Sequence, residues 1–111
     1  NTKSEKQYQD GKFQSINTEY YWDGSLKEKS DYQNGILEGA VRKFYEGGQL
    51  RMNTTYKNGR KNGTREKYSE SGKLWLVETY KDDKLHGPVQ RYGKSGRVIK
   101  VIQYRNGEKA P

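Results

Sequence analysis

Aromatic, apolar and glycine positions recur along this chain at a fixed interval of 24 residues. Tyr8, Tyr32, Tyr56, Tyr80 and Tyr104 keep it, as do Leu26, Leu50, Leu74 and Val98, and Tyr20, Phe44, Tyr68 and Tyr92. Three glycine series share the interval. The first is Gly11, Gly35, Gly59 and Gly107, with Asp83 as its one substitute, and the second is Gly24, Gly48, Gly72 and Gly96. The third is Gly39, Gly63 and Gly87, with Ser15 in the first copy. Self-similarity at such a period marks a repeat architecture in which each unit buries its apolar positions against its neighbours. One domain of 111 residues therefore divides into repeats at about 8–31, 32–55, 56–79 and 80–103, with a partial copy over 104–111.

Each repeat reads as two strands and two turns. Asn58-Gly59, with Asn34-Gly35 and Asn106-Gly107, is the signature of a two-residue type I′ hairpin, because both central positions need positive φ. Half a period away, Glu46-Gly47-Gly48 and Ser69-Glu70-Ser71-Gly72 suit a longer hairpin loop that closes on a left-handed glycine. The intervening segments are too short for ordinary helices and rich in Tyr, Thr, Val and Leu. The pattern predicts strands over 14–21, 26–33, 38–45, 50–57, 62–68, 73–81, 88–92 and 97–104, almost no helix, and an all-β, elongated antiparallel meander of hairpins.

Alternation along a strand then assigns faces. Leu74, Leu76, Glu78 and Tyr80 share one side of their strand, and Trp75, Val77 and Thr79 share the other. The repeat-locked Leu and Tyr positions, with Tyr20, Phe44, Tyr68 and Tyr92, are expected to form the packed face. Lys43, Lys67 and Arg91, with Glu19 in the first copy, are expected to line the solvated one. Val98-Ile99-Lys100-Val101-Ile102 is apolar on both sides, so a covered edge is expected there, with self-association through this C-terminal strand as one means of covering it.

Composition changes this picture in two ways. The chain holds only 17 Leu, Ile, Val and Phe residues, a content at which a well-charged sequence tends towards disorder, and the ten Tyr and two Trp must supply the missing apolar area. Charge is also one-sided. Residues 1–56 carry eight basic and eight acidic side chains, whereas residues 57–111 carry fourteen and six, so the whole net charge of +8 lies in the C-terminal half. Such a field favours acidic partners. There is no Cys, which removes disulfides, thiol nucleophiles and thiolate metal sites. No apolar run is long enough for a membrane-spanning helix, and the absence of an initiator Met points to export, to the periplasm or cell surface, rather than to the cytoplasm.

The run Tyr56-Lys57-Asn58-Gly59-Arg60-Lys61-Asn62-Gly63, followed by Tyr68 and by Ser71-Gly72-Lys73-Leu74, resembles the MORN repeat. It is most similar to the bacterial variant found in YwqK-type antitoxins, and Asp82-Asp83-Lys84-Leu85-His86-Gly87 is another copy of the turn. The resemblance extends from about Tyr8 to Gly107. It implies an elongated antiparallel sheet used to bind proteins, or phospholipid in some eukaryotic members, and its antitoxin label implies neutralisation of a toxin by direct contact. It brings no kinase chemistry, since no kinase glycine-rich loop, catalytic Asp motif or metal-binding triplet occurs.

Catalysis and cofactors find no footing in the sequence. His86 is the single His, and its place between Leu85 and Gly87 at a turn reads as structural. Asp82-Asp83 offers neither zinc nor calcium spacing, and Glu66 with Glu78 reads as ion-paired strand residues rather than a catalytic pair. No enzyme activity, metal or cofactor is expected. Basic residues interleaved with Tyr suit single-stranded nucleic acid, but the tyrosines keep their period in the neutral half as well, so they serve the fold first. A phospholipid surface is the stronger alternative, although no amphipathic helix accompanies the basic residues. The expected function is a non-enzymatic binding module for an acidic protein partner, of antitoxin, immunity or scaffold type. Its expected binding residues are Trp75, Val77, Ile99 and Val101, with Lys43, Lys67 and Arg91. The structural positions of the repeat are Gly35, Gly59, Gly107, Gly48, Gly72, Gly96, Tyr32, Tyr56, Tyr80 and Tyr104.

Overall fold

The computed structural model describes the backbone of residues 2–9 and 12–110 and the side chains of residues 14–110. Gly11 and the side chain of Tyr8, which open the periodic series, lie outside the described residues. Among those residues the chain is all-β. Ten strands form one antiparallel sheet in sequence order: β1 (Thr2–Gln9), β2 (Lys12–Tyr20), β3 (Leu26–Gln33), β4 (Ile36–Phe44), β5 (Leu50–Lys57), β6 (Arg60–Tyr68), β7 (Leu74–Lys81), β8 (Lys84–Tyr92), β9 (Val98–Arg105) and β10 (Glu108–Lys109). The molecule measures 44 × 33 × 19 Å, in keeping with a single layer.

Turn chemistry fixes this meander. Asn34 and Gly35, Asn58 and Gly59, and Asn106 and Gly107 all take positive φ, from 51° to 89°, as a type I′ turn requires. Asp82 and Asp83 adopt the same shape without a glycine, at φ 50° and 70°. The longer turns close through Tyr45 N to Gln49 O at 2.8 Å and Ser69 N to Lys73 O at 2.8 Å. Gly48, Gly72 and Gly96 sit in them at φ 104°, 88° and 87°.

Gly39, Gly63 and Gly87 serve a different purpose. They lie inside β4, β6 and β8 at φ 115°, 114° and 117°, where the register with the preceding strand shifts between Ser30 and Tyr32, Thr54 and Tyr56, and Glu78 and Tyr80. A Cβ on Gly63 would meet Thr55 Cβ at 3.3 Å, so both the backbone and the space demand glycine. Across the next ladder Gly39, Gly63 and Gly87 pair with Tyr56, Tyr80 and Tyr104, so each of these tyrosines faces a partner without a side chain.

Strand by strand, the sequence pattern placed the eight central strands within two residues of their ends, except β8, which begins at Lys84 rather than at 88. Its early start follows from the tight Asp82-Asp83 turn, since strand pairing resumes directly with Lys81 opposite Lys84. β1 and β10 were absent from the sequence reading; β1 lies before the first glycine series, and β10 is only two residues long.

Among the described residues no second layer covers the sheet, so burial is shallow. Ser30 and Thr54, one period apart, are 5% and 4% exposed, and Tyr80 is 8% exposed. They lie within two adjacent cross-strand rows on one face. One row runs Asn17, Ser30, Val41, Thr54, Arg65, Glu78, Val89 and Ile102; the next holds Tyr32, Tyr56, Tyr80 and Tyr104. We call this the tyrosine face.

Candidate functional site

Cross-strand partners share a face, and the register assigns the basic side chains to the tyrosine face. Glu19 pairs with Glu28, Glu28 with Lys43, Lys43 with Met52, Met52 with Lys67, Lys67 with Leu76, Leu76 with Arg91, and Arg91 with Lys100. This single row runs from two carboxylates at one end to two cations at the other. It corrects the expectation that Lys43, Lys67 and Arg91 line a face opposite Leu76 and Tyr80. The one-residue bulges at Arg51, Trp75 and Ile99, where Lys43 pairs with Met52 but Phe44 with Leu50, and Lys67 with Leu76 but Tyr68 with Leu74, set Lys43, Lys67 and Arg91 in phase with Met52 and Leu76. The two-residue shifts beside Gly39, Gly63 and Gly87 leave the faces unchanged.

The expected apolar patch is likewise divided. Val77 and Val101 both pair with Gln90, and Val77 also pairs with Glu66, all on the opposite face. Trp75 departs from strict alternation because it is the extra residue of a bulge: Lys67 pairs with Leu76 and Tyr68 with Leu74, and Trp75 falls between. Its ring lies 6.0 Å from Lys67 Nζ and borders a cavity of about 230 Å³ with Tyr45, Arg51, Met52, Lys67 and Tyr68. Trp75 thus joins Lys67 on the tyrosine face. Ile99, one period on, occupies the corresponding bulge between β8 and β9. Trp75 is 39% exposed and Ile99 63%.

Beside Trp75 lies a cluster that holds its neighbours still. Glu78 Oε1 accepts from Arg65 Nε at 3.0 Å and sits 3.7 Å from Lys67 Nζ. The Arg65 guanidinium also donates to the Tyr80 hydroxyl and stacks 5.0 Å from its ring, with Lys61 Nζ 4.8 Å away. Burial pushes the Tyr80 phenol above its usual range; Glu78 adds to the rise and Arg65 opposes it. The nearby Tyr68 phenol is raised by burial and then by Glu66.

At the C-terminal end β10 covers only Tyr104 and Arg105 of β9, and Ala110 N donates to Gln103 O at 2.8 Å. Val98, Ile99 and Val101 stay exposed, so among the described residues no segment of this chain covers the edge along them. Trp22, fully exposed in the first long turn, escaped the sequence reading because it belongs to no periodic series. Arg51, Met52 and Tyr45 were missed as neighbours of Trp75, although Arg51 and Trp75 stand one period apart directly after Leu50 and Leu74, which was a usable signal. His86 Nδ1 accepts from Asn106 N at 3.2 Å, just as Glu38 Oε1 accepts from Asn58 N at 3.3 Å one repeat pair earlier, which gives His86 a place in the turn. Among the described residues no group of three His, Asp or Glu side chains could hold a metal ion.

Two stretches, residues 37–58 and 61–82, match the model of the MORN repeat variant. The chain is an all-β repeat protein in which these two adjacent repeats are similar to the MORN repeat variant, a type of module often found in binding proteins. Searches of curated proteins and of solved structures give no match to the chain.

Proposed function

We propose that this chain is a non-enzymatic binding module that docks an acidic protein through the C-terminal part of its tyrosine face. The observation that carries the reading is the seating of Trp75. A bulge lifts a large aromatic ring onto a row of bases, Lys67 and Arg91 with Arg51 and Lys43 beside them, on a sheet that has no second layer among the described residues. Trp and Arg are the side chains that most often anchor protein interfaces, and the local excess of fourteen bases over six acids would steer an acidic partner towards this half. Ile99 extends the apolar part of the surface. Val77 and Val101 belong to the other face and are left out. An antitoxin, immunity or scaffold role would each be served by such a surface.

The row from Lys43 to Lys100 also favours a second reading, an anionic phospholipid surface or, less well supported, nucleic acid. The open edge of β9 adds a route to self-association, a strand from a second copy pairing beside Ile99 and Val101. Salt separates the first two readings. Affinity for a polyanion falls steeply between low and moderate salt, whereas a desolvated aromatic anchor loses less. The test compares binding of the native chain, Trp75→Ala and Arg91→Glu to partner captured from the native cell, to phosphatidylserine vesicles and to single-stranded DNA, across a salt series. Salt-tolerant, Trp75-dependent binding to a protein supports the proposal. Binding only to vesicles or DNA, with a steep salt slope, defeats it.

A further inference from the structure

The repeats differ at one position in a way that leaves a space of known shape. Tyr21 follows β2, and its hydroxyl donates to the carbonyl of Phe44 at 2.6 Å; Tyr45 follows β4, and its hydroxyl donates to the carbonyl of Tyr68 at 2.7 Å. Each ring crosses the start of the intervening strand to reach the end of the strand beyond. In the third repeat the corresponding pair is Ser69 and Tyr92. The serine is too short to reach, and its Oγ is engaged within its own turn, 2.9 Å from Ser71 Oγ and 3.2 Å from Lys73 N. Between Ser69 and Tyr92 lies a notch of about 390 Å³, lined along its length by Leu74 and Trp75 and bordered by Ser71 and Lys94.

We propose that this notch receives a tyrosine side chain presented by an acidic segment of a partner protein. The inference rests on reading the C-terminal half as a protein-docking surface, and it names the anchor that surface takes. The occupant is argued from the chain itself. In two repeats a phenol bridges the same interval and bonds to the same backbone carbonyl, so the third repeat offers a tyrosine-shaped vacancy in a frame already built for one. Its walls are aromatic, Trp75 and Tyr92, which suits offset or edge-on ring packing. Its rim is basic: Lys73 Nζ lies 3.3 Å from Lys94 O, which holds a cation beside the opening, and Arg91 stands on the adjoining strand. Acidic residues flanking the incoming tyrosine complement that rim. Trp75 lines both this notch and the smaller cavity beside Lys67, so one ring joins the tyrosine receptor to the basic row.

The test uses the full chain with Trp22→Phe, which leaves Trp75 as its single tryptophan and fluorescent reporter. The probes are blocked pentapeptides with a central Tyr, Phe or Ala between paired glutamates. The Tyr peptide is expected to shift Trp75 emission saturably. The Phe peptide, lacking the hydroxyl, should bind roughly fivefold more weakly, and the Ala peptide on the order of thirtyfold more weakly. Ser69→Tyr should fill the notch from within, raise the melting temperature and abolish binding of the Tyr peptide, whereas Lys27→Ala, in the first repeat and remote from the notch, should bind it as the parent does. Ser69→Phe, which fills the notch without needing the hydroxyl contact, is a second blocking variant should Ser69→Tyr fold poorly. Undiminished binding in a folded blocking variant overturns the inference. Equal binding of the Tyr and Ala peptides that is lost in Arg91→Glu also overturns it and leaves the basic docking surface standing. Binding of neither peptide overturns the notch as well, and the docking surface is then judged by the Trp75→Ala and Arg91→Glu comparison with captured partner.

Discussion

A Cβ added to Gly59 would lie 3.2 Å from Ile36 Cγ2, so the tight turn of one repeat rests on the strand that leaves the tight turn of the repeat before it. The same two turns are joined by Gly59 N donating to Leu37 O at 2.9 Å. Asp83 N to Lys61 O at 2.9 Å and Gly107 N to Leu85 O at 2.8 Å continue the stack. The glycine is thus required twice, once for its φ of 80° and once for its contact with the neighbouring repeat.

Gly59→Val should therefore destabilise by at least about 2 kcal/mol, combining left-handed strain with the clash at Ile36. Lys57→Val, exposed at the end of β5, should stay within about 0.5 kcal/mol. Thermal unfolding followed by far-ultraviolet dichroism separates them. Because repeat stability depends on nearest neighbours, the glycine variant should also speed amide exchange in β4. Equal melting temperatures for the two variants would contradict the stacked-turn account.

Glu78 holds Arg65 and Lys67 from a site only 15% exposed on its side chain. Glu78→Gln leaves two cations facing a neutral amide, and the cost should fall between that of surface and buried pairs, about 2 kcal/mol. Chemical denaturation measures it. A loss no larger than that of Glu70→Gln, in an exposed turn, would show that the cluster contributes nothing.

The phenols of Tyr68 and Tyr80 are both raised above their ordinary value of 10.0, chiefly by burial and then by Glu66 and Glu78. A proton held more tightly in the folded chain than in the unfolded one stabilises the fold below the unfolded value, and that contribution disappears as pH climbs through the folded one. Stability should accordingly decline above about pH 10. In an absorbance titration at alkaline pH the Tyr80→Phe variant should lack one late-ionising phenol. Simultaneous titration of every tyrosine at the ordinary value would contradict the burial assigned to these two.

Most of the fold was legible in the sequence, because a meander is set by local chemistry. Asn-Gly pairs and left-handed glycines announced the turns, and a period of 24 with two turns left only two strands per copy. The faces were less legible. Parity holds along a regular strand, but the extra residues Arg51, Trp75 and Ile99 break it between Leu50 and Met52, Leu74 and Leu76, and Val98 and Lys100, so Lys43, Lys67 and Arg91 share the face of Leu76 rather than lying opposite it. Trp75 was singled out as a large non-periodic side chain, yet its face depends on the bulge it occupies. Ser69 carried a readable signal, the loss of a tyrosine found at 21 and 45, but the hydroxyl-to-carbonyl bonds that give the change meaning exist only in three dimensions.

The role proposed for Trp75 and Arg91 is separable into rate and residence. Trp75→Ala should cost on the order of 2 kcal/mol or more in affinity through faster dissociation, and Arg91→Glu should mainly slow association and alter its salt dependence. Lys27→Ala, at the corresponding bulge position in the neutral half, should leave both rates unchanged. Surface-immobilised kinetics with the captured partner report these terms, and a loss of affinity in Lys27→Ala as large as in Trp75→Ala would move the site out of the C-terminal half.

Amide hydrogen exchange across the whole chain, with and without the captured partner bound, is the most direct measurement of where docking occurs. The expected result is added protection around residues 65–68, 74–76 and 91–100, with none over 14–33. Protection confined to β2 and β3, or an unchanged footprint when Trp75→Ala and Arg91→Glu are combined, would contradict docking on the basic end of the tyrosine face.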